Sequence, residues 1–218
     1  SHHVAVSENT DFRLSMDEAT EVMANIHDNT PHESVDLGLS VKWATCNVGA
    51  KVPEEFGDYF AWGETQAKSL FSVRNCSTLR VSTTYKSSFF GIKKYAEDVY
   101  ESVLSGDISG LKAYDVARAS WGEGWRMPTR LEFKELIKSC KWKWTTINGK
   151  CGYTVVGPNG NSIFLPAAGC RDQILKEEGS NGYYWSSTPY EDDLTCAYRL
   201  TFYGGLIVGW NKLYYGSR

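Results

Sequence analysis

Histidine is missing from most of this chain. The four histidines, His2, His3, His27 and His32, all fall within the first 32 of 218 residues, so the stretch from Glu33 to Arg218 has none. That excludes a Ser-His-Asp or Cys-His catalytic constellation, and any His-ligated metal, built within that stretch. Closely spaced cysteines are missing too. Cys46, Cys76, Cys140, Cys151, Cys170 and Cys196 include no CxxC or CxxxC pair, which removes zinc-site spacing and the thioredoxin-type redox motif. A disulfide between Cys140 and Cys151 across a hairpin stays open beside the simpler reading of small buried hydrophobes. Basic charge is not in excess: 23 Lys and Arg stand against 26 Asp and Glu, for a net charge of −3. Scattered cations of this kind do not make a phosphate-tracking groove, so neither DNA nor RNA is an expected partner. No apolar run reaches the roughly 20 residues of a membrane-spanning helix, and Leu200 to Trp210 is interrupted by Gly204-Gly205. Phosphate loops are absent as well, since Gly122-Glu123-Gly124 runs into Trp125 and reads as a turn.

Aromatics are what the chain has in abundance, and they are unevenly placed. Ten of its thirty lie in the last thirty-six residues, Tyr183 to Arg218. Tyr and Trp offer large contact area at small entropic cost, and a set too dense to bury completely points to a binding surface. An aromatic-rich β core accounts for the same pattern, because alternation does not reveal which face is wet. With 42% hydrophobic residues, the chain can bury the core of one main domain. Among its acidic groups, Glu54-Glu55 and Glu177-Glu178 read as solvent-facing pairs. Glu191-Asp192-Asp193 offers three hard oxygen ligands suited to calcium, but nothing nearby completes a calcium motif and a solvated loop is the simpler reading.

Two parts differ in texture. Residues 1–31 read as a tag remnant (Ser1-His2-His3), a linker and a short amphipathic helix, so that an export signal or lipid anchor is expected to have been lost ahead of them. Ser15 and Glu18 form a capping box, Ala19, Val22, Met23 and Ile26 make one apolar stripe, and Asn29-Thr30-Pro31 ends the helix. Residues 32–218 form the main domain. Its polar stretch Gln66 to Ser88 is expected as a long surface excursion. Tyr114 to Ala119 makes a short helix, and a second capping box, Thr129 with Glu132, opens a firmer one that buries Phe133, Leu136, Ile137 and Cys140. Strands follow. Asn148-Gly149 and Pro158-Asn159-Gly160 turn a meander, and Gly204-Gly205 is expected as a two-residue link between Ala197–Tyr203 and Leu206–Trp210. Helices before strands give an α+β order.

Several segments resemble one known family. Val35-Asp36-Leu37-Gly38-Leu39-Ser40-Val41-Lys42-Trp43-Ala44 through Ala50, Gly57-Asp58-Tyr59-Phe60-Ala61-Trp62-Gly63-Glu64-Thr65, Trp121-Gly122 with Trp125-Arg126-Met127-Pro128-Thr129, Phe164-Leu165-Pro166-Ala167-Ala168-Gly169 and Gly182-Tyr183-Tyr184-Trp185-Ser186-Ser187 are similar, in order and spacing, to the Fibrobacter major paralogous domain family. The resemblance implies a C-type-lectin-like α+β fold of two main helices and a twisted antiparallel sheet, here with an N-terminal helical appendage. It also implies an extracellular or outer-surface bacterial location. Formylglycine-generating enzymes share that fold and a helix start similar to Arg126–Phe133, but they need a C-terminal cysteine pair. Cys170 and Cys196 stand in no such context, so the resemblance implies no catalytic residue, no metal and no cofactor. The family ends in a Ser-Val-Arg-Pro-Val segment, which makes the last strand here read as incomplete. Some related domains are diversified by retroelements in this terminal region.

By the same resemblance, Ala197, Leu200, Phe202 and Ile207 take buried positions, with Tyr184 and Trp185 as scaffold. Arg199, Thr201 and Tyr203 on one strand, and Leu206, Val208 and Trp210 on the next, then point outward. The expected contact set is Tyr190, Glu191, Asp192, Tyr198, Arg199, Thr201, Tyr203, Leu206, Val208, Trp210, Asn211, Lys212 and Tyr214. Its expected role is non-enzymatic binding of an unknown protein or glycan ligand. A structural or adhesion part of a cell-surface assembly is the alternative, and a formylglycine-type oxidase a distant third.

Overall fold

The computed structural model describes residues 32–87, 94–202 and 205–218. Strands dominate it, with 39% of residues in strands and 11% in helices. Strand β1 (Ser34–Val35) pairs with β2 (Trp43–Ala44), β3 (Leu79–Ser87) with β4 (Lys94–Ser102), and β8 (Cys170–Arg171) with β9 (Leu175–Lys176). Two three-stranded sheets complete the set: β5 (Lys141–Ile147), β6 (Lys150–Val156) and β7 (Ser162–Pro166), then β10 (Gly182–Pro189), β11 (Cys196–Phe202) and β12 (Leu206–Lys212). All of these pairings are antiparallel.

This corrects the expected fold class. In place of an α+β, C-type-lectin-like arrangement with two main helices on one twisted sheet, the described residues build a mostly-β architecture of five small sheets and two short α-helices. The physical reason is the locality of pairing. Each strand pairs within its own hairpin or meander, because Gly, Pro and Asn turns recur before any strand can extend a neighbouring sheet. The expected N-terminal helix after Ser15 lies outside the described residues. The polar stretch Gln66 to Ser88 also differs from expectation. Val81, Thr83, Thr84 and Tyr85 favour extended backbone, and β3 pairs with β4 from Leu79↔Ser102 to Ser87↔Lys94.

The two helices form where their caps place them. Helix α1 (Val116–Trp121) starts at Asp115, whose fully buried carboxylate accepts from the backbone N–H groups of Gly110, Arg118 and Met127 at 2.7, 3.0 and 2.9 Å. Three donors replace the water that the carboxylate loses. Helix α2 (Arg130–Ser139) has the capping box read from sequence: Glu132 N–H donates to Thr129 Oγ1, and Thr129 N–H donates to Glu132 Oε2 at 2.7 Å. Its Phe133 and Leu136 are buried. Asn148 and Gly149 both take positive φ, 47° and 78°, as the turn between β5 and β6 requires.

Sheet β10–β11–β12 separates two cores. Trp185 and Ala197 join Phe60, Trp62, Phe71, Ile108 and Met127 on one face. Tyr184, Leu200 and Phe202 join Leu37, Phe133, Leu136, Val155 and Ile163 on the other, where α2 packs. β10 is therefore buried on both faces rather than alternating. Gly182 makes room for the Phe202 ring, whose edge lies where a Cβ would be.

The register of β12 overturns one expectation. A two-residue Gly204-Gly205 link would pair Tyr203 with Leu206, but the observed register is Phe202↔Leu206, Leu200↔Val208 and Tyr198↔Trp210. A shift of one residue turns every side chain of the strand over. Leu206 and Val208 consequently pack partly buried against the second core, while Ile207, expected inside, is 56% exposed.

Candidate functional site

The C-terminal sheet brings part of the expected contact set together. The Trp210 ring lies on Tyr190 with centroids 5.0 Å apart and planes 13° from parallel, and Tyr190 meets Tyr198 edge-on at 5.5 Å. Arg130, the first residue of α2, stacks its guanidinium 3.9 Å above the Tyr198 ring and pairs with Glu191 at 3.1 Å. Trp210 remains 52% exposed, whereas Tyr198, expected as a contact residue, is buried and is corrected to the support beneath the patch. Charge at this patch is balanced. Lys212 Nζ donates to Asp193 Oδ2 at 2.8 Å and Thr195 Oγ1 donates to Asp193 Oδ1 at 2.6 Å, and those contacts hold the Asp193 carboxyl well below the usual carboxylate range. The three adjacent acids diverge, Glu191 to Arg130, Asp192 to the Tyr190 hydroxyl and Asp193 to Lys212, which is not a calcium arrangement.

Other members of the set are elsewhere. Arg199 and Thr201 point to the opposite face, where Thr201 is buried and Arg199 lies 4.1 Å over the Tyr183 ring and donates to Ser217 Oγ at 3.3 Å. Burial lowers the Arg199 pKa from its ordinary value. Both are corrected from contact residues to scaffold, as the inward-facing parity of β11 dictates. Leu206 and Val208 are corrected likewise by the register. Tyr214 stacks on Tyr215 at 4.9 Å and packs on the first core, and Asn211 Oδ1 accepts from Lys212 N–H at 2.9 Å. Tyr203 lies outside the described residues. Arg130 escaped the sequence reading, although its place at the start of a capped helix was visible.

A second site had no counterpart in the sequence. A cavity of about 590 Å³ opens between β1–β2, the two helices and β7, with β10 and Arg218 closing one side. Trp43, Trp121, Trp125 and Trp185 line it, together with Phe133 and Phe164. These residues come from segments far apart in sequence that converge on one space. Arg218 arrives through backbone pairing: its N–H donates to Tyr183 O at 2.9 Å, and its carbonyl accepts from Trp185 N–H at 2.6 Å.

His32 also lines this cavity, stacked on Trp121 with centroids 3.7 Å apart and edge-on to Trp125 at 5.0 Å. Its Nε2 stands 3.8 Å from Cys46 Sγ. A Cys-His juxtaposition therefore exists, contrary to the expectation that confining histidine to the N-terminal segment would prevent one. Burial pushes the Cys46 thiol up and the His32 imidazole down, so the neutral pair is favoured on both sides and no thiolate is generated. All six cysteines are free thiols, and burial likewise raises Cys170 and Cys196. Among the described residues, no helix is long and apolar enough to cross a membrane, and no group of three or more His, Cys, Asp or Glu could hold a metal ion.

No family model, curated protein or solved structure matches this chain.

Proposed function

We propose that the protein is a non-enzymatic ligand-binding module of the bacterial cell surface or extracellular space, taking a protein or glycan partner on the patch of Trp210 and Tyr190, which rests on the buried Tyr198 ring, with Arg130 and Glu191 at its rim. One observation carries the reading: Trp210 is half exposed yet already fixed flat on Tyr190. An aromatic held in place before contact loses little freedom on binding, and an apolar centre with a charged rim is how recognition surfaces are built. The resemblance to the Fibrobacter major paralogous domain family supports the surface location and extends the proposal to retroelement-driven diversity at these positions. A template copy of the terminal segment beside a reverse-transcriptase gene would support that extension.

Trp210→Ala and Tyr190→Ala test the site itself. Binding to an immobilised glycan panel and to candidate surface proteins is measured beside thermal stability. Loss of a bound partner at unchanged melting temperature is expected. A fall in stability without loss of binding favours the alternative, in which the patch packs as a structural part of a larger assembly.

A further inference from the structure

An open strand edge is a template for pairing, and proteins close it with charge, proline, brevity or cover. Most edges here are closed in one of those ways. β3 and β4 carry Arg80, Glu97 and Asp98, β5 carries Lys141 and Lys143, β7 ends in Pro166, and β1, β2, β8 and β9 are two residues long. β10 is covered on its outer side by the backbone of Arg218, which bonds to Tyr183 and Trp185. β12 is the exception. It is the outer strand of its sheet, seven residues long, with neither proline nor charge before Lys212.

The pairing of β11 shows which backbone groups of β12 are open. Backbone direction alternates along a strand, and Cys196, opposite Lys212, turns its N–H and carbonyl away from β12, to Asp193 and Tyr190. Asn211, Gly209 and Ile207 therefore bond to β11, while Leu206, Val208 and Trp210 turn their backbone groups outward. The open run stops at Lys212, whose N–H donates to Asn211 Oδ1 at 2.9 Å and whose carbonyl accepts from Tyr215 N–H at 3.3 Å. Among the described residues, no backbone bond reaches the outward groups of Leu206, Val208 or Trp210.

We propose that β12 pairs with β12 of a second copy of this chain, antiparallel about a two-fold axis at Val208. The strand is self-complementary in that register. Leu206 faces Trp210 and Val208 faces its own copy, each pair exchanging both N–H···O bonds, and Ile207 faces Gly209. Ile207 is exposed, and where a Gly209 Cβ would stand the nearest atom is Ile207 Cδ1 of the same strand at 3.7 Å, so the isoleucine of one copy has room over the glycine of the other. The half-exposed Trp210 gains Leu206 as a cross-strand neighbour. Lys212, the only charge on the strand, lies beyond these pairs, so no like charges are opposed. A peptide of arbitrary sequence would supply the backbone bonds but not this matching on both faces. Opposed residues share a face, so the pairing sets both Trp210 patches on one side of a continuous sheet.

The full chain is followed by sedimentation velocity from about 1 to about 500 μM, with amide exchange read by NMR at both ends of that range. Reversible dimerisation with a dissociation constant of roughly 10–100 μM is expected. The amides of Leu206, Val208 and Trp210 should exchange at least about fivefold more slowly in the concentrated sample. Val208→Pro removes an outward N–H that the β11 ladder does not use, and is expected to weaken association at least about tenfold. Should that variant fail to fold, Ile207→Lys puts a charge at an already exposed position and is expected to weaken association by about the same factor. A chain that stays monomeric across the range overturns the inference, as do a dimer that no folded variant weakens or exchange at those three amides that ignores concentration.

Discussion

The patch around Trp210 and the cavity around Arg218 are built from the same ingredients, aromatic rings and an arginine, and they differ in how the charge is settled. At the patch, Arg130 has Glu191 and the Tyr198 ring, and Lys212 has Asp193. In the cavity, the guanidinium of Arg218 lies on the Tyr59 ring, with Asp58 acting on it only through space. Rings in water with satisfied charges recognise by contact area and shape. Rings withdrawn from water chiefly hold the fold together, and a charge among them is settled by ring faces and distant carboxylates. The difference also divides stability from recognition: Trp185 in the cavity wall is core, and Trp210 on the patch is surface.

The strongest test of that division is Trp185→Ala. Trp185 is buried in the first core, lines the cavity and donates its indole N–H to Phe60 O at 3.0 Å, so its loss is expected to cost about 3–5 kcal/mol in urea denaturation. A smaller loss would mean that the cavity wall is not part of the core. High pH gives the next effect. Burial and the Glu177 contact push the Tyr183 hydroxyl up to about 12, and burial raises Tyr184 as well. A tyrosine whose folded pKa is raised adds stability that is complete below its unfolded value and is lost as pH climbs through the folded one. Melting temperature is therefore expected to fall from roughly pH 10 upward, and Tyr183→Phe to lessen that fall. Trp210→Ala should cost no more than about 0.5 kcal/mol, in contrast to Trp185, because half its surface is already in water. The smallest effect belongs to Asp193→Asn, a few tenths of a kcal/mol at neutral pH, because both partners of the Lys212 pair are about 40% exposed. The depressed Asp193 carboxyl stabilises above the ordinary carboxylate pKa and loses that contribution as pH falls through the folded one. The variant should accordingly lose slightly less stability on acidification.

What the chain reveals to a reader depends on how far apart the interacting residues are. The Thr129–Glu132 cap, the Asn148-Gly149 turn and the β5–β7 meander were legible because each is decided within a few residues. The facing of β12 was not. It turns on whether Phe202 or Tyr203 opposes Leu206, a choice of one residue that composition does not encode. The expected lectin-like sheet failed for a related reason, since motifs in family order locate segments without dictating which strands hydrogen-bond. Arg218 and His32 were invisible as site residues because the cavity exists only after β1, α1 and β10 have assembled around it. Of the terminal aromatics, Trp185 and Tyr184 were read as scaffold and are core, while Tyr190 and Trp210 stack on each other.

Sheet β10–β12 carries a core on each side, and this has a consequence for how the molecule comes apart. Neither core can open without stripping one face of the same strands, so local fluctuations cannot release the amide protons of Tyr184, Trp185 or Leu200. Their exchange with heavy water must wait for the whole unit to unfold, whereas amides of the exposed β3–β4 ribbon exchange through small openings.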